Sequence, residues 1–294
     1  MKELEQDLFL LEHMPDGVLI SNVRGGVTYV NARLEQLSGY RREQLVGRSL
    51  EQLVPAGMKA AHRAMRDGYL HRPRARPMGV VERDYRLLRR DGTSISVDIS
   101  LAPITRQGST YVLAVVRDIT ARRNLEAKLE HEALHDPLTG LANRTLYMDR
   151  LVQAMLQARR DRRQMALVML DLDNFKAVND TYGHQSGDRV LSRVAKAFAV
   201  GLRATDTVAR IGGDEFAWVL PGVSGRHAAM VMMAKLLQSV PARLAVGRKA
   251  IDVSVSAGLS LFPDDGEDID TLMGVADVHL YAAKRRAPVA HYRV

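Results

Sequence analysis

The 294-residue chain contains no cysteine, which removes disulfides, thiolate-bound zinc, iron–sulfur clusters and a thiol nucleophile in one step. Its chemistry must run on oxygen and nitrogen groups. Aromatic residues are scarce at 5%, with a single tryptophan, Trp218. The densest basic stretch, from Arg72 through Arg76 to Arg89 and Arg90, is interleaved with prolines and lacks the run of aromatics that a base-stacking platform needs. A solvated loop is expected there, and no nucleic-acid partner. No apolar run approaches the roughly 18 residues needed to cross a bilayer, and the first seven residues carry acids where a signal peptide would carry bases. The expectation is a cytoplasmic protein with no membrane partner.

What is present suits a globular chain of two domains: 46% hydrophobic and 26% charged residues. A net charge of +8 favours polyanionic partners such as nucleotides, although a basic surface also serves solubility alone.

The first half reads as short strands separated by turn signals. Gly17-Val18-Leu19-Ile20 and Val27-Thr28-Tyr29-Val30 flank Gly25-Gly26, and Ile95, Val97, Ile99 and Leu101 alternate with Ser96, Asp98 and Ser100 after Asp91-Gly92. That alternation predicts a half-buried antiparallel strand. A further strand over 111–116 ends at Arg117-Asp118-Ile119-Thr120, with helical segments near 31–37 and 42–53. Tyr29-Val30-Asn31, Ser38-Gly39-Tyr40, Gly47, Arg90-Asp91-Gly92 and Asp118-Ile119-Thr120, in this order and spacing, make the segment 8–120 resemble a PAS domain. The resemblance implies a sensory domain over 1–120 with an antiparallel sheet, but not the ligand it senses. His62 and His71 read as packing or surface residues rather than haem ligands, and without cysteine a cysteinyl flavin adduct is excluded.

From 121 to 134 the composition shifts to Arg, Glu, Lys, Leu and Ala, with Leu125, Leu129 and Ala133 on one helical face. This predicts a linker helix whose short apolar stripe suits pairing with a second copy.

The remaining segment, 135–294, alternates helical and strand patterns and predicts an α/β (α+β) domain with a central mixed sheet flanked by helices. The run 165–170 suits a buried strand, and Val190, Leu191, Val194, Ala195, Phe198 and Leu202 follow the helical period. Ile251, Val253 and Val255 alternate with Asp252, Ser254 and Ser256, which predicts one strand. Carboxylates concentrate at two strand ends: Asp171 and Asp173 after 165–170, and Asp214 and Glu215 after Gly212-Gly213. The glycine pair predicts a hairpin turn with positive φ at both central positions, which also lets a phosphate chain approach the backbone. Any one of these acids could merely decorate a turn. Four at the ends of two apolar strands point to a site, and with no cysteine or histidine ligands they select a hard cation, Mg²⁺ or Mn²⁺.

Gly212-Gly213-Asp214-Glu215-Phe216 is identical to the signature of the GGDEF family of diguanylate cyclases. His135-Asp136-Pro137-Leu138-Thr139-Gly140-Leu141-Ala142-Asn143-Arg144, Asp171-Leu172-Asp173-Asn174-Phe175-Lys176, Asn179-Asp180-Thr181-Tyr182-Gly183-His184 and Gly187-Asp188 extend the resemblance from about 135 to 284. It implies that Asp171, the Leu172 carbonyl and Asp214 hold the metal ions, and that Asn179 and Asp188 hydrogen-bond the guanine edge. Phe175, Gly212 and Gly213 would line the triphosphate site. Lys176 and Lys284 would neutralise phosphate charge, with Glu215 assisting deprotonation. The implied reaction joins two GTP molecules into cyclic di-GMP and pyrophosphate across a homodimer. Arg203-Ala204-Thr205-Asp206 stands where the family carries its inhibitory Arg-x-x-Asp site, implying feedback by cyclic di-GMP at Arg203 and Asp206, though Lys235 is the nearest base in the helix that follows.

The ending departs from the family. After Tyr281-Ala282-Ala283-Lys284 comes Arg285-Arg286-Ala287-Pro288, so the family's phosphate-binding arginine is absent at Pro288. That departure keeps an alternative open: a catalytically inactive GGDEF module that holds GTP or cyclic di-GMP as a receptor. A polymerase with a related layout is disfavoured, since no template-binding groove is evident.

Overall fold

The computed structural model describes residues 9–71, 76–77, 85–106, 108–247, 249–286 and 292–293. Most of the 72–76 part of the basic stretch, the His71 side chain, the first seven residues and Pro288 lie outside the described residues. The chain divides into two compact units, Met1–Lys128 and Leu129–Val294.

In the first unit the strands are β1 (Gly17–Asn22), β2 (Val27–Val30), β3 (Arg76–Pro77), β4 (Arg86–Leu88), β5 (Ser94–Arg106) and β6 (Ser109–Asp118). Their order is β2-β1-β6-β5-β3, with β4 on β5, and every pairing is antiparallel. The β1–β2 turn forms because the Asn22 side-chain oxygen accepts from the N–H groups of Arg24 and Gly26, each at 2.9 Å, while Gly25 takes φ 81°. Helix α1 (Ala32–Ser38) starts at Asn31, a fully buried residue with no unpaired polar atom to carry. Its Oδ1 accepts from Val18 and Leu34 N–H, and its Nδ2 donates to the carbonyls of Leu11 and Asp16. One asparagine thereby fastens strand, helix and N-terminal turn. Helices α2 (Arg42–Leu45) and α3 (Lys59–His71) follow. The apolar faces of β1, β5 and β6 close over a cavity of about 250 Å³, with His62 and Arg66 on its lining. His62 Nδ1 lies 2.9 Å from Glu51 Oε1, and Arg66 donates to the same oxygen at 3.3 Å.

Helix α4 (Thr120–Leu134) has no buried residue, and Leu125 and Leu129 are 58% and 55% exposed. The division between the two units falls within it.

The second unit contains α5 (Arg144–Asp161), β7 (Gln164–Leu172), α6 (Phe175–Tyr182), α7 (His184–Ala199), β8 (Thr207–Gly212), β9 (Glu215–Val223), α8 (Arg226–Leu237), β10 (Arg243–Val246), β11 (Lys249–Asp252), β12 (Val255–Phe262), α9 (Ile269–Lys284) and β13 (Tyr292–Arg293). The sheet order is β13-β12-β7-β9-β8, mixed because β13 pairs parallel to β12 while the other pairs are antiparallel. Strand β7 is interior, which explains its unbroken apolar run: Ala166, Val168 and Leu170 face one helical layer, and Met165, Leu167 and Met169 the other. The first layer packs Val190, Val194 and Phe198 of α7 with Met233 and Leu237 of α8 around Trp218. The second packs Tyr147 and Leu151 of α5 with Leu272, Ala276 and Leu280 of α9.

Two local expectations differ. The stretch 251–256 is not one strand: β11 ends at Asp252, Ala242 accepts from Val253 N–H, and β12 starts at Val255 with both faces buried. The β8–β9 turn is also displaced by one residue. β8 runs through Gly212, so the central residues are Gly213 and Asp214, and only Gly213 has positive φ, at 54°.

Candidate active site

The site lies where β7 ends and its neighbours β9 and β12 begin. Asp171 stands opposite Glu215 across the β7–β9 ladder and opposite Ser256 across β7–β12. The Leu172 N–H donates to the Asp214 carbonyl at 3.3 Å, which holds the turn against the end of β7. Asp171 is only 8% exposed, and its Oδ2 lies 2.8 Å from Nζ of Lys284, at the last residue of α9. Burial pushes the Asp171 carboxyl above the ordinary aspartate range; the Lys284 ammonium opposes this, while the charges of Asp214 and Asp173 add to it. Three acids therefore act on one point.

Among the described residues no set of three or more acid or histidine side chains is arranged to hold a metal ion by itself. The available donors are the Asp171 and Asp214 carboxylates with the Leu172 carbonyl. Such a set fits Mg²⁺ or Mn²⁺, which take one or two carboxylates and complete their octahedron with water and substrate phosphate.

The guanine and phosphate candidates sit on the next two helices. Gly183, at φ 81°, separates α6 from α7 and donates to the Asn179 carbonyl at 2.8 Å. A Cβ at Gly187 would collide with Asn179 Oδ1 and lie 3.1 Å from the Phe175 ring. The glycine thus lets Asn179 and Phe175 lie close against α7, with Asp188 next in the chain and exposed. Lys176, in the first turn of α6, is exposed. Arg203 and Asp206 form a turn before β8, where Asp206 Oδ2 accepts from the Arg203 N–H at 2.8 Å and Arg203 is exposed. Helix α8 opens on Arg226, so this arginine and not Lys235 is the first base of the helix that follows the Arg203–Asp206 turn, and it pairs with Asp265.

Arg210 was not legible in the sequence as a site residue. Its Nε and one terminal nitrogen donate to the Gly213 carbonyl at 2.9 and 2.7 Å, and the other terminal nitrogen donates to both Asp136 oxygens at 3.1 and 3.0 Å. Asp136 also accepts from the N–H and hydroxyl of Thr139. One guanidinium so ties the glycine turn to the opening loop. Burial tends to raise the Asp136 carboxyl, but the Thr139 bonds and Arg210 outweigh it and hold it below the ordinary range. Its stabilising contribution is full above the unfolded aspartate value, about 3.9, and is lost as pH falls through the lower folded value. Thermal melts should show a smaller loss between pH 6 and pH 3 for Asp136→Asn than for wild type; equal losses would remove Asp136 from the account.

Fold and site together define a class: an antiparallel-sheet unit followed by an α/β unit whose sheet end presents acids and a glycine turn suited to nucleotide phosphates. The family model described as diguanylate cyclase, GGDEF domain, matches residues 133–288, and that of the PAS fold matches 5–119. The chain belongs to the GGDEF family, with a PAS domain N-terminal to the GGDEF domain. It is 41% identical over 191 residues to the bifunctional diguanylate cyclase/cyclic di-GMP phosphodiesterase MucR of Pseudomonas aeruginosa, covering 65% of this chain and 27% of that one. It is 28% identical over 295 residues to the probable diguanylate cyclase DgcE of Escherichia coli, covering 97% and 26%. The chain thus spans about a quarter of the length of these curated relatives. Among solved structures, the GGDEF domain of Pseudomonas aeruginosa TpbB aligns with TM-score 0.51 at 35% identity, over 54% of this chain and 92% of that one. The coiled coil and GGDEF domain of Caulobacter crescentus DgcB, solved in complex with c-di-GMP, aligns with TM-score 0.50 at 32% identity, over 56% and 87%.

Proposed function

We propose that this protein is a diguanylate cyclase that condenses two GTP molecules into cyclic di-GMP and two pyrophosphates. The observation that carries the reading is the buried Asp171 carboxylate at the end of β7, facing Asp214 and paired with Lys284 at 2.8 Å. The 3′-hydroxyl of one GTP attacks the α-phosphorus of the other, the bond to the β-phosphate oxygen breaks, and the second closure repeats the step in the opposite sense. Asp171, Asp214 and the Leu172 carbonyl would hold Mg²⁺ or Mn²⁺, which supplies positive charge at the attacking and leaving oxygens. Asn179 and Asp188 offer acceptors to guanine N1–H and N2–H₂, and the Asn179 amide offers a donor to O6. Lys176 and Lys284 neutralise triphosphate charge, while Phe175 and the Gly212-Gly213 backbone line its path. Glu215, exposed at the start of β9 opposite Asp171, is the carboxylate available to take the hydroxyl proton. The GTP pool is cytoplasmic, which gives the reaction its compartment.

Incubating the purified protein with GTP and Mg²⁺, followed by nucleotide chromatography, tests this. Cyclic di-GMP and pyrophosphate are expected. GTP retained without turnover would instead support the receptor reading, which the Arg285-Arg286-Ala287-Pro288 ending favours.

Because each domain binds one GTP and the product is two-fold symmetric, two domains must face each other in a homodimer. Helix α4, with Leu125 and Leu129 exposed, is the element on which two copies would pair, and the PAS domain would act through it. Inserting four residues after Lys128 rotates the downstream domain by about 40°, and seven by about −20°, at roughly 100° per residue. Output of cyclic di-GMP should fall with four and partly recover with seven; equal activity in two dimeric variants would make α4 a passive tether.

Feedback by product is assigned to Arg203 and Asp206, whose fork and carboxylate suit phosphate and the guanine edge. Cyclic di-GMP should inhibit wild type with a constant about tenfold lower than for Arg203→Ala, the worth of one charge-assisted pair. Equal constants would leave that turn a structural feature.

A further inference from the structure

We infer that Asp173 is a positioning residue whose clamp on Ser254 and Ser256 aims the Leu172 carbonyl into the site. The inference rests on the cyclase reading, in which that carbonyl is a metal donor. Asp173 differs from its neighbours in what its oxygens touch: Oδ2 accepts from the Ser254 hydroxyl at 2.6 Å and Oδ1 from the Ser256 hydroxyl at 2.7 Å. Its N–H also donates to the Ser254 carbonyl at 2.9 Å. Ser256 is fully buried, so the clamp reaches from the site edge into the sheet.

The geometry turns on one peptide unit. The C=O of Leu172 and the N–H of Asp173 belong to the same trans peptide and point in opposite directions. Tethering that N–H to Ser254, on the β12 side, turns the Leu172 carbonyl toward the β9 side. Leu172's own N–H already reaches the Asp214 carbonyl there. The regular β7–β12 ladder ends at the Leu172–Val255 pair, and Asn174 then leaves in the left-handed region at φ 55°. Beyond the last ladder pair one backbone bond, Asp173 N–H to the Ser254 carbonyl, holds the Leu172–Asp173 peptide, and the carboxylate with its two serine hydroxyls braces that bond from both sides. Each Asp173 oxygen accepts a serine hydroxyl, whereas Asp171 pairs with Lys284.

The test measures Mn²⁺ binding by electron paramagnetic resonance in the full chain with a non-hydrolysable GTP analogue, beside turnover kinetics and thermal melts. Replacing an outer group that orients a ligand costs about 10- to 100-fold in metal affinity. Asp173→Asn and the Ser254→Ala/Ser256→Ala double variant should therefore weaken Mn²⁺ by at least about tenfold. They should raise the Mg²⁺ needed for half-maximal turnover while leaving KM for GTP within about twofold of wild type. Ser254→Thr, which keeps the hydroxyl at a partly exposed position, should restore wild-type binding. Ser254→Ala alone, at the same partly exposed position, serves if the double variant does not fold. A lowered Tm with unchanged Mn²⁺ affinity overturns the inference, as does loss of binding in Asp173→Asn with none in the serine variants, which would make Asp173 a ligand. Asp171→Asn is the control: if it leaves Mn²⁺ binding unchanged, the metal-centre reading fails, independently of the clamp.

Discussion

Asp214→Asn and Asp171→Asn are expected each to reduce cyclic di-GMP formation on the order of 10³-fold or more, because each removes a unit charge where phosphoryl-transfer charge develops without changing volume. The two should part company in stability. Asp171 is buried, and its carboxyl is raised above the ordinary range chiefly by desolvation, with Asp214 and Asp173 adding to the rise. A group whose folded value is raised in this way costs the fold stability when it is ionised at neutral pH. Asp171→Asn should therefore melt no lower than wild type at pH 7, although Lys284 loses its ionic partner; at 40% side-chain exposure that lysine regains water. Asp214, at the turn, should be near neutral in stability. Nucleotide chromatography and thermal melts on the same preparations check both halves. Near-normal turnover in both variants would sink the assignment of these acids.

Gly258→Ala should be the most damaging single-methyl change in the second unit. A Cβ at Gly258 would collide with the Ala276 carbonyl and the Leu280 amide of α9, both backbone atoms. Neither can rotate away, so α9 must lift off β12. The expected loss is at least about 3 kcal/mol, or roughly 10 °C in Tm for a unit of this size. Gly274→Ala is the matched control. It lies on the same helix with nothing within 4 Å of a new Cβ, and relief of the glycine penalty should stabilise by about 0.5–1 kcal/mol. Urea melts of the two variants decide it: similar stabilities would mean that the close approach of β12 and α9 is not tight in solution.

The features legible in the sequence were those with a local physical cause. The run 165–170 announced an interior strand because both of its faces are covered, and Asp171 followed from its position at the end of that run. The α7 pattern from Val190 to Phe198 has the period of a helix packed on one side. What stayed hidden depends on distance along the chain. Arg210 meets Asp136 across 74 residues and Ser256 meets Asp173 across 83, and no periodicity carries such pairings. The stretch 251–256 alternates as a strand should, yet the break near Ser254 comes from long-range partners, Ala242 on one side and Asp173 on the other. Two adjacent glycines that both tolerate positive φ suggest a turn centred on the pair; the pairing of Gly212 with Glu215 places it at Gly213 and Asp214 instead.

The Arg210 fork also decides where this domain can be cut. The loop it grips precedes α5 and packs Leu138, Leu141 and Ala142 against the two clusters, but Asp136 lies outside both of them. A fragment beginning after Asp136 would keep nearly every packed side chain, yet its glycine turn would have lost the partner that anchors the guanidinium holding the Gly213 carbonyl. A boundary chosen from the packed core alone would therefore cut this tie between the opening loop and the glycine turn.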